Sequence, residues 1–195
     1  GDGGIGDFET LRRLARATRD AGGALTGINP LHHLFPNDRH RASPYQPSDR
    51  RYIDPIYIGI EQLLTALPLP AATYLAGKSS AAFVTLNALR FVDYDAVWKA
   101  KSAILEAAFG EFRGNGDFDA FVAAGGENLR RHGMFEAQAA GENPADPHRI
   151  RYRAFLQWIA EMQLARAAEH RNLYRALALG CAFDGGEIAE QPEMF

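Results

Sequence analysis

A short apolar segment, residues 24–28, runs directly into a polar loop of unusual length, and this junction constrains the chain more than any other feature. The loop, residues 29–58, carries three histidines, four arginines and three tyrosines among its prolines. Loops of this length without helix or strand signals are rare in compact domains unless they are functional or disordered. The tyrosine and proline content argues against disorder, because flexible linkers lack rigid apolar groups. A strand that opens into such a loop is typical of α/β scaffolds, which build binding sites on loops at strand ends.

Charge and composition exclude several classes of function. The net charge of −3 is incompatible with a basic nucleic-acid footprint, and no apolar run reaches the ~18 residues of a membrane span. Amides, hydroxyls and aromatic rings are abundant in the loop while its charges roughly offset, which favours an uncharged, polyhydroxylated ligand. The single cysteine, Cys181, lies in an apolar stretch, so we expect inert packing and a reducing cytoplasmic location.

The rest of the chain is mostly helical in its periodicity. Asp7 is placed to cap a helix over 8–20, whose apolar face includes Leu14. Asp146 followed by Pro147 begins the longest predicted helix, which we expect to end near His170. Further helices are predicted over 59–67, from Asp93 or Asp95 to 109, over 117–124 and over 127–139, and strands over 24–28 and 173–180. The sequence therefore predicts a helix-rich α/β fold.

Short motifs follow one another along nearly the whole chain: Gly4-Ile5-Gly6-Asp7-Phe8, Gly27-Ile28-Asn29-Pro30-Leu31-His32, Leu34-Phe35-Pro36, Ala42-Ser43-Pro44-Tyr45-Gln46-Pro47-Ser48, Arg50-Arg51, Tyr57-Ile58, Val92-Asp93-Tyr94, Leu156-Gln157-Trp158, Leu173-Tyr174-Arg175 and Gly186-Glu187. In this order they resemble the 4-α-glucanotransferases of the amylomaltase, or disproportionating-enzyme, type (glycoside hydrolase family seventy-seven). The resemblance implies part of a (β/α)8 barrel, since a complete barrel takes ~250 residues. The expected organisation is a strand and loop portion over 1–70, a helical insertion over 71–146, and a long helix with a returning strand over 147–195.

The resemblance also implies an activity, the transfer of α-1,4-glucan segments between maltooligosaccharides by retaining double displacement. Retention needs two carboxyl groups about 5–5.5 Å apart, one acting as nucleophile and the other as acid and base. In the family the nucleophile lies in an Arg-Ile-Asp-His motif. This chain offers only Arg149-Ile150-Arg151, within a predicted helix, and it lacks the Glu-Asp-Leu-Gly stretch of the acid. We expect no catalytic residue in this chain and place both carboxylates outside it.

What remains is one wall of a sugar site. By resemblance, Tyr45 is the ring against which a glucose stacks, and Pro44 fixes the backbone before it. Ser43 and Gln46 are candidates for hydrogen bonds to sugar hydroxyls. Asn29 follows the strand, where it either binds sugar or closes the strand through an Asx turn. The histidine of the Asn-Pro-Leu-His motif, His32, completes the predicted substrate-binding set and orients the loop through its ring nitrogens.

Other sites are disfavoured by spacing and context. The histidines at 32, 33 and 40 lack i, i+4 spacing on a helix and a converging carboxylate pair, so no metal site is expected from them. No Asp/Asn-rich calcium loop is present, and we expect no cofactor. Residues 1–6 satisfy the GxGxxG pattern of dinucleotide-binding sites. No strand precedes them and no acidic residue ends the next strand, so a dinucleotide site is not expected. We expect Arg50 and Arg51 to be solvated or paired with Asp49 or Asp54.

Departures from the family pattern keep two alternatives open. Ala176 stands where the family has an aspartate facing the sugar site, and the segment over 141–148 is short. The three hypotheses are part of a 4-α-glucanotransferase, a catalytically inactive glucan-binding relative, and a helix-rich structural or interaction module. Binding of maltooligosaccharide through Tyr45 separates the second from the third.

Overall fold

The computed structural model describes residues 2–169 and 173–190 and has a helix-rich α/β architecture. The helices are α1 (Phe8–Asp20), α2 (Ile60–Ala66), α3 (Pro70–Asn87), α4 (Tyr94–Glu111), α5 (Gly116–Ala139), α6 (Pro147–Ala167) and α7 (Gly186–Glu190). The strands are β1 (Thr26–Ile28), β2 (His32–His33), β3 (Asp49–Ile53) and β4 (Leu173–Arg175), and a 3-10 turn covers Pro55–Tyr57. The helix-rich α/β class predicted from the sequence is confirmed.

The strands form two separate pairs. β1 lies parallel to β4 with Thr26 opposite Leu173, and β2 lies antiparallel to β3 with His32 opposite Ile53. Parallel neighbours far apart in sequence need a crossover connection, and here the helices from α2 to α6 supply it. Within the described residues these are two two-stranded sheets, so they contain no closed barrel.

Helix starts follow the predicted capping residues. The Asp7 carboxylate accepts a hydrogen bond from Thr10 N, and Asp93 and Asp146 cap α4 and α6 in the same way. The two helices predicted within 117–139 form a single run broken at Gly126, whose φ of 52° and ψ of −138° are not helical. The predicted end of α6 near His170 lies outside the described residues, since α6 ends at Ala167.

Four sequence predictions need correction. Residues 29–58 are not devoid of regular structure, because β2, β3 and the 3-10 turn lie within them. The predicted strand over 173–180 ends at Arg175, where pairing with β1 stops. Within the helical insertion predicted over 71–146, no bounds were given for α3, because its apolar residues surround the helix without a clear stripe. Leu14 is 52% exposed rather than inward, since α1 buries Phe8 and Ala15.

One aromatic cluster forms the centre of the core between α4, α5 and α6. Rings of Phe109, Phe112, Phe118, Phe155 and Trp158 lie with centroids 5.1–6.3 Å apart in tilted, edge-on and stacked pairs. Burial of such rings dominates core energetics, so the helical region is anchored on α6. No described helix combines the length and the hydropathy needed to cross a bilayer.

Two glutamines of α6 connect this core to the loop. Gln157 accepts from Ile53 N at 3.0 Å and donates to Ile53 O at 2.9 Å. Gln163 makes the same two contacts with Gly59, at 2.7 and 3.0 Å. Each side-chain amide thus bonds both backbone groups of one loop residue, and backbone groups in protein interiors need such partners. α6 therefore fixes the loop at both ends of the segment from β3 to α2.

Candidate functional site

The segment from Ser43 to Gln46 is a tight turn at the exposed carboxyl end of β1. Gln46 N donates to Ser43 O at 3.2 Å, and Pro44 holds the second position, for which its fixed φ is suited. The Tyr45 ring is 53% exposed, and its hydroxyl donates to Asn29 Oδ1 at 3.2 Å. The structure thus brings Asn29 and Tyr45 together and presents Ser43 and Gln46 on the same exposed turn.

A cleft of about 330 Å³ lies between this turn and α1. The polar side chains of its lining are those of Asp7, Thr10 and Asn29. The rest of the lining is mainly apolar and aromatic, and includes Tyr57, Tyr94, Pro30, Pro44 and Leu14. Apolar walls with a few convergent polar groups are the usual composition of a small-ligand site. The cleft can hold a neutral ligand with one apolar face.

Sequence reasoning assigned no role to Tyr57 and Tyr94, although both line this cleft. Each lies in a motif of the family resemblance, Tyr57-Ile58 and Val92-Asp93-Tyr94, and that was the available signal. Tyr57 follows β3 and Tyr94 begins α4, so only the packing of α4 beside the loop brings them near β1. Burial raises the pKa of the Tyr57 hydroxyl, which therefore stays protonated.

The turn is held by the chain segment that precedes and includes α7. Ser48 Oγ accepts from Gly186 N at 2.9 Å, and Ser48 O accepts from Glu187 N at 3.1 Å. Arg50 Nη2 lies 2.5 Å from Glu187 Oε1, and hydrogen bonds from Arg50 lower the pKa of that carboxyl. The loop bearing Tyr45 is therefore fastened on both sides of Ser48.

The arginines are paired rather than solvated. Arg51 contacts Asp49 at 2.6 Å, as the sequence predicted, whereas Arg50 pairs with Glu187, a partner that sequence reasoning missed. Asp54 pairs instead with Arg39 at 2.7 Å, and both side chains are buried. Burial alone would raise the pKa of Asp54, but the Arg39 charge and hydrogen bonds outweigh it, so the pKa is lowered and the carboxylate stays ionised.

The histidines near the loop have separate environments. His32 Nε2 accepts from Ala178 N at 3.2 Å, and His32 lines a different cleft, of about 700 Å³, shared with Ala176. His33 is buried with Nε2 2.9 Å from Glu136, and His40 is exposed. The structure therefore does not place His32 beside Tyr45; its ring holds the segment after β4.

Cys181 is partly buried close to Glu187, and burial raises the pKa of its thiol. A thiol is a weak nucleophile until it is deprotonated. The raised pKa and the partial burial of this thiol therefore agree with the packing role predicted for Cys181.

Comparison with known proteins gives matches to one family. The family model described as 4-alpha-glucanotransferase matches residues 1–148. The 4-alpha-glucanotransferase of Haemophilus influenzae is 27% identical over 186 residues, covering 88% of this chain and 26% of the relative. That of Mycobacterium tuberculosis is 28% identical over 213 residues, covering 93% of this chain and 29% of the relative.

Structure comparison gives the same result. The crystal structure of amylomaltase from Corynebacterium glutamicum superposes with a TM-score of 0.82 and 28% identity, over 98% of this chain and 30% of the amylomaltase. The chain thus spans less than a third of the length of these relatives. Because the family match covers most of its residues, the chain belongs to the 4-α-glucanotransferase family.

Proposed function

We propose that this chain supplies one wall of the glucan site of a 4-α-glucanotransferase, which transfers α-1,4-glucan segments between maltooligosaccharides derived from starch or glycogen. The observation that carries the proposal is the contact of the exposed Tyr45 with Asn29 beside an aromatic cleft. The C–H face of a glucose ring is apolar, so it stacks on a tyrosine ring at small entropic cost. The Ser43 and Gln46 side chains, on the same turn, are the proposed hydrogen-bond partners of the sugar hydroxyls.

In this proposal the chain is part of a (β/α)8 barrel. The parallel pair of β1 and β4 supports that interpretation, with residues 1–70 and 147–195 as barrel segments and residues 71–146 as a helical insertion. The carboxyl ends of barrel strands carry the active site in this fold. Asn29 lies at that end of β1, and Ala176 directly follows β4.

The carboxylate pair of the retaining mechanism is proposed to come from sequence outside these 195 residues. Neither catalytic motif of the family occurs in the chain. Asp7, which lines the cleft, already accepts the capping hydrogen bond from Thr10 N at 2.8 Å. The chain's own contribution is therefore to bind and orient glucan, in a reducing cytoplasmic compartment consistent with its single cysteine.

One observation favours a second candidate, a glucan-binding relative without catalysis. Ala176 N donates to Ile28 O at 3.0 Å, so residue 176 lies at the strand ends where the family usually has a carboxylate. An alanine there offers a sugar no hydrogen-bond acceptor in its side chain. The same Tyr45 contact is expected in both candidates, and turnover separates them.

The test is calorimetric titration of the chain with maltoheptaose, followed by the same titration of Tyr45→Ala. Loss of the stacking face is expected to cost about 1–3 kcal/mol, which is roughly a 5- to 150-fold weaker Kd. Tyr45→Phe keeps the face and loses only the bond to Asn29, so it should bind more tightly than Tyr45→Ala. Tyr74→Ala, which removes a tyrosine that is 63% exposed on α3, is the matched control and should bind like the parent.

Equal weakening by Tyr45→Ala and Tyr74→Ala, or no binding by the folded parent, would refute the sugar wall. A disproportionation assay with maltotriose then addresses catalysis. We expect no turnover by this chain alone, and release of glucose with longer oligomers would show that it holds a carboxylate pair.

A further inference from the structure

A buried group of potential metal ligands lies outside the cleft beside Tyr45. Asp49 begins β3, His132 lies in α5 and Glu190 ends α7. One ring nitrogen of His132 and one carboxylate oxygen from each acid all lie within 4.8 Å of one another. Asp49 and His132 are at most 1% exposed, and the Glu190 side chain is 6% exposed. Three elements remote in sequence thus converge on one small buried volume.

The bonding of this group is incomplete within the described residues. Among the described residues, His132 Nδ1 and Glu190 Oε1 are buried without a hydrogen-bond partner, while Glu190 Oε2 is ion-paired with Arg51. Buried polar atoms without partners are rare in native proteins, and each calls for an explanation such as a bound ion. The His132 ring is held in place, since it stacks on Tyr52 at 3.8 Å and meets His33 edge-on at 4.8 Å.

A cation already occupies part of this group. Arg51 is the cation that contacts both acids, with Nη2 2.6 Å from Asp49 Oδ2 and 2.9 Å from Glu190 Oε2.

We propose that Asp49, His132 and Glu190 form a binding site for one divalent transition-metal ion of the Zn²⁺ type. A neutral imidazole with two carboxylates is a ligand set that Zn²⁺ accepts, whereas Mg²⁺ and Ca²⁺ prefer oxygen ligands alone. Tetrahedral zinc ligands lie roughly 3.4 Å apart, so only small side-chain movements are needed from the present separations. The two charges of the ion balance both carboxylates.

Arg51 is the competing cation in this site. Its side chain is 29% exposed and lines the cleft of about 700 Å³, so it has room to withdraw when the ion binds. The ion then connects β3 to α5 and α7. Because Arg50 and Glu187 are near neighbours of Asp49 and Glu190 in sequence, metal binding would stabilise the same attachment that holds the Tyr45 loop.

The test is titration of the chelator-treated chain with ZnCl₂ by calorimetry, and with CoCl₂ by visible absorption of the bound ion. One equivalent of Zn²⁺ is expected to bind. The variants Asp49→Asn, His132→Asn and Glu190→Gln should each weaken binding at least tenfold. His40→Asn is the matched control, because His40 is exposed and lies outside the group, and it should bind like the parent.

Arg51→Gln gives a sharper result, since removal of the competing cation should tighten Zn²⁺ binding. The proposal is overturned if the folded parent binds no Zn²⁺, if His40→Asn abolishes binding, or if Glu190→Gln binds as tightly as the parent. Should His132→Asn fail to fold, Asp49→Asn and Glu190→Gln decide, because both conserve side-chain shape.

Discussion

Replacement of Gly185 by alanine should detach the segment before α7 from the Tyr45 loop. A Cβ at Gly185 would lie 2.4 Å from Ser48 O and 2.8 Å from Ser48 Cα, and both of these are backbone atoms. Carbon and oxygen cannot approach so closely, so one of the two segments must move. The result would be a loosened loop at the proposed sugar wall.

The magnitude follows from the contacts that such a movement breaks. Three hydrogen bonds join the segments at this point: Ala182 N to Pro47 O at 2.8 Å, Gly186 N to Ser48 Oγ at 2.9 Å and Glu187 N to Ser48 O at 3.1 Å. Each contributes about 0.5–1.5 kcal/mol net, so a loss of about 2–4 kcal/mol in the free energy of unfolding is expected. In a chain of this size that lowers Tm by roughly 5–15 °C.

The assay is urea denaturation followed by circular dichroism, with hydrogen exchange at the amides of Gly186 and Glu187. Gly180→Ala is the matched control in the same segment, because a Cβ there meets no atom within 4 Å. That variant should lie within about 0.5 kcal/mol of the parent. If Gly185→Ala matches Gly180→Ala in stability and both amides stay protected, the close approach to Ser48 does not hold the loop.

Three further predictions concern the framework around the site. Gly133→Ala should destabilise the chain by about 1–2 kcal/mol, because a Cβ at this position would lie 3.1–3.2 Å from backbone atoms of α6. Gly77→Ala should stabilise the chain by about 0.5–1 kcal/mol, because a Cβ there would lie in open space. Urea denaturation measures both changes. Burial lowers the pKa of Lys101 to about 8 from 10.5. Below about pH 8 the buried side chain is charged, and the cost of burying that charge reduces the free energy of unfolding by its full amount. As pH rises above that value the folded protein loses the proton first, and the free energy of unfolding should increase toward a limit on the order of 3 kcal/mol. Gln157→Met should cost about 1–3 kcal/mol by thermal denaturation, since Ile53 N would lose this partner while Ile53 O would keep only the contact with His33 Nδ1 at 3.3 Å.

For each of these three predictions, a specific result would contradict the physical reason given. Equal effects of the two glycine replacements would show that α5 and α6 adjust freely at their contact. The Lys101→Met variant should lack the rise in stability with pH, and a parent-like rise in that variant would assign it to another group. A change below about 0.5 kcal/mol in Gln157→Met would mean that water replaces the side-chain amide.

The sequence alone determined the elements whose signals are local. Asp7 and Asp146 predicted the starts of α1 and α6, because a capping carboxylate acts on amides within its own first turn. The ordered motifs around Asn29, Tyr45 and Gly186 predicted the family, which the match over residues 1–148 confirms. The substrate roles assigned to Asn29, Ser43, Tyr45, Gln46 and His32 remain predictions.

Only the tertiary structure decided which of these groups meet. β3 was missed because its hydrogen-bond partners, β2 and the Gln157 side chain, lie elsewhere in the chain, and no local pattern encodes them. His32 and Tyr45 share a loop, but His32 lines the cleft that contains Ala176, whereas the Tyr45 hydroxyl contacts Asn29. The convergence of Asp49, His132 and Glu190 is likewise set by helix packing, since spacing along a chain carries no information about contacts between distant elements.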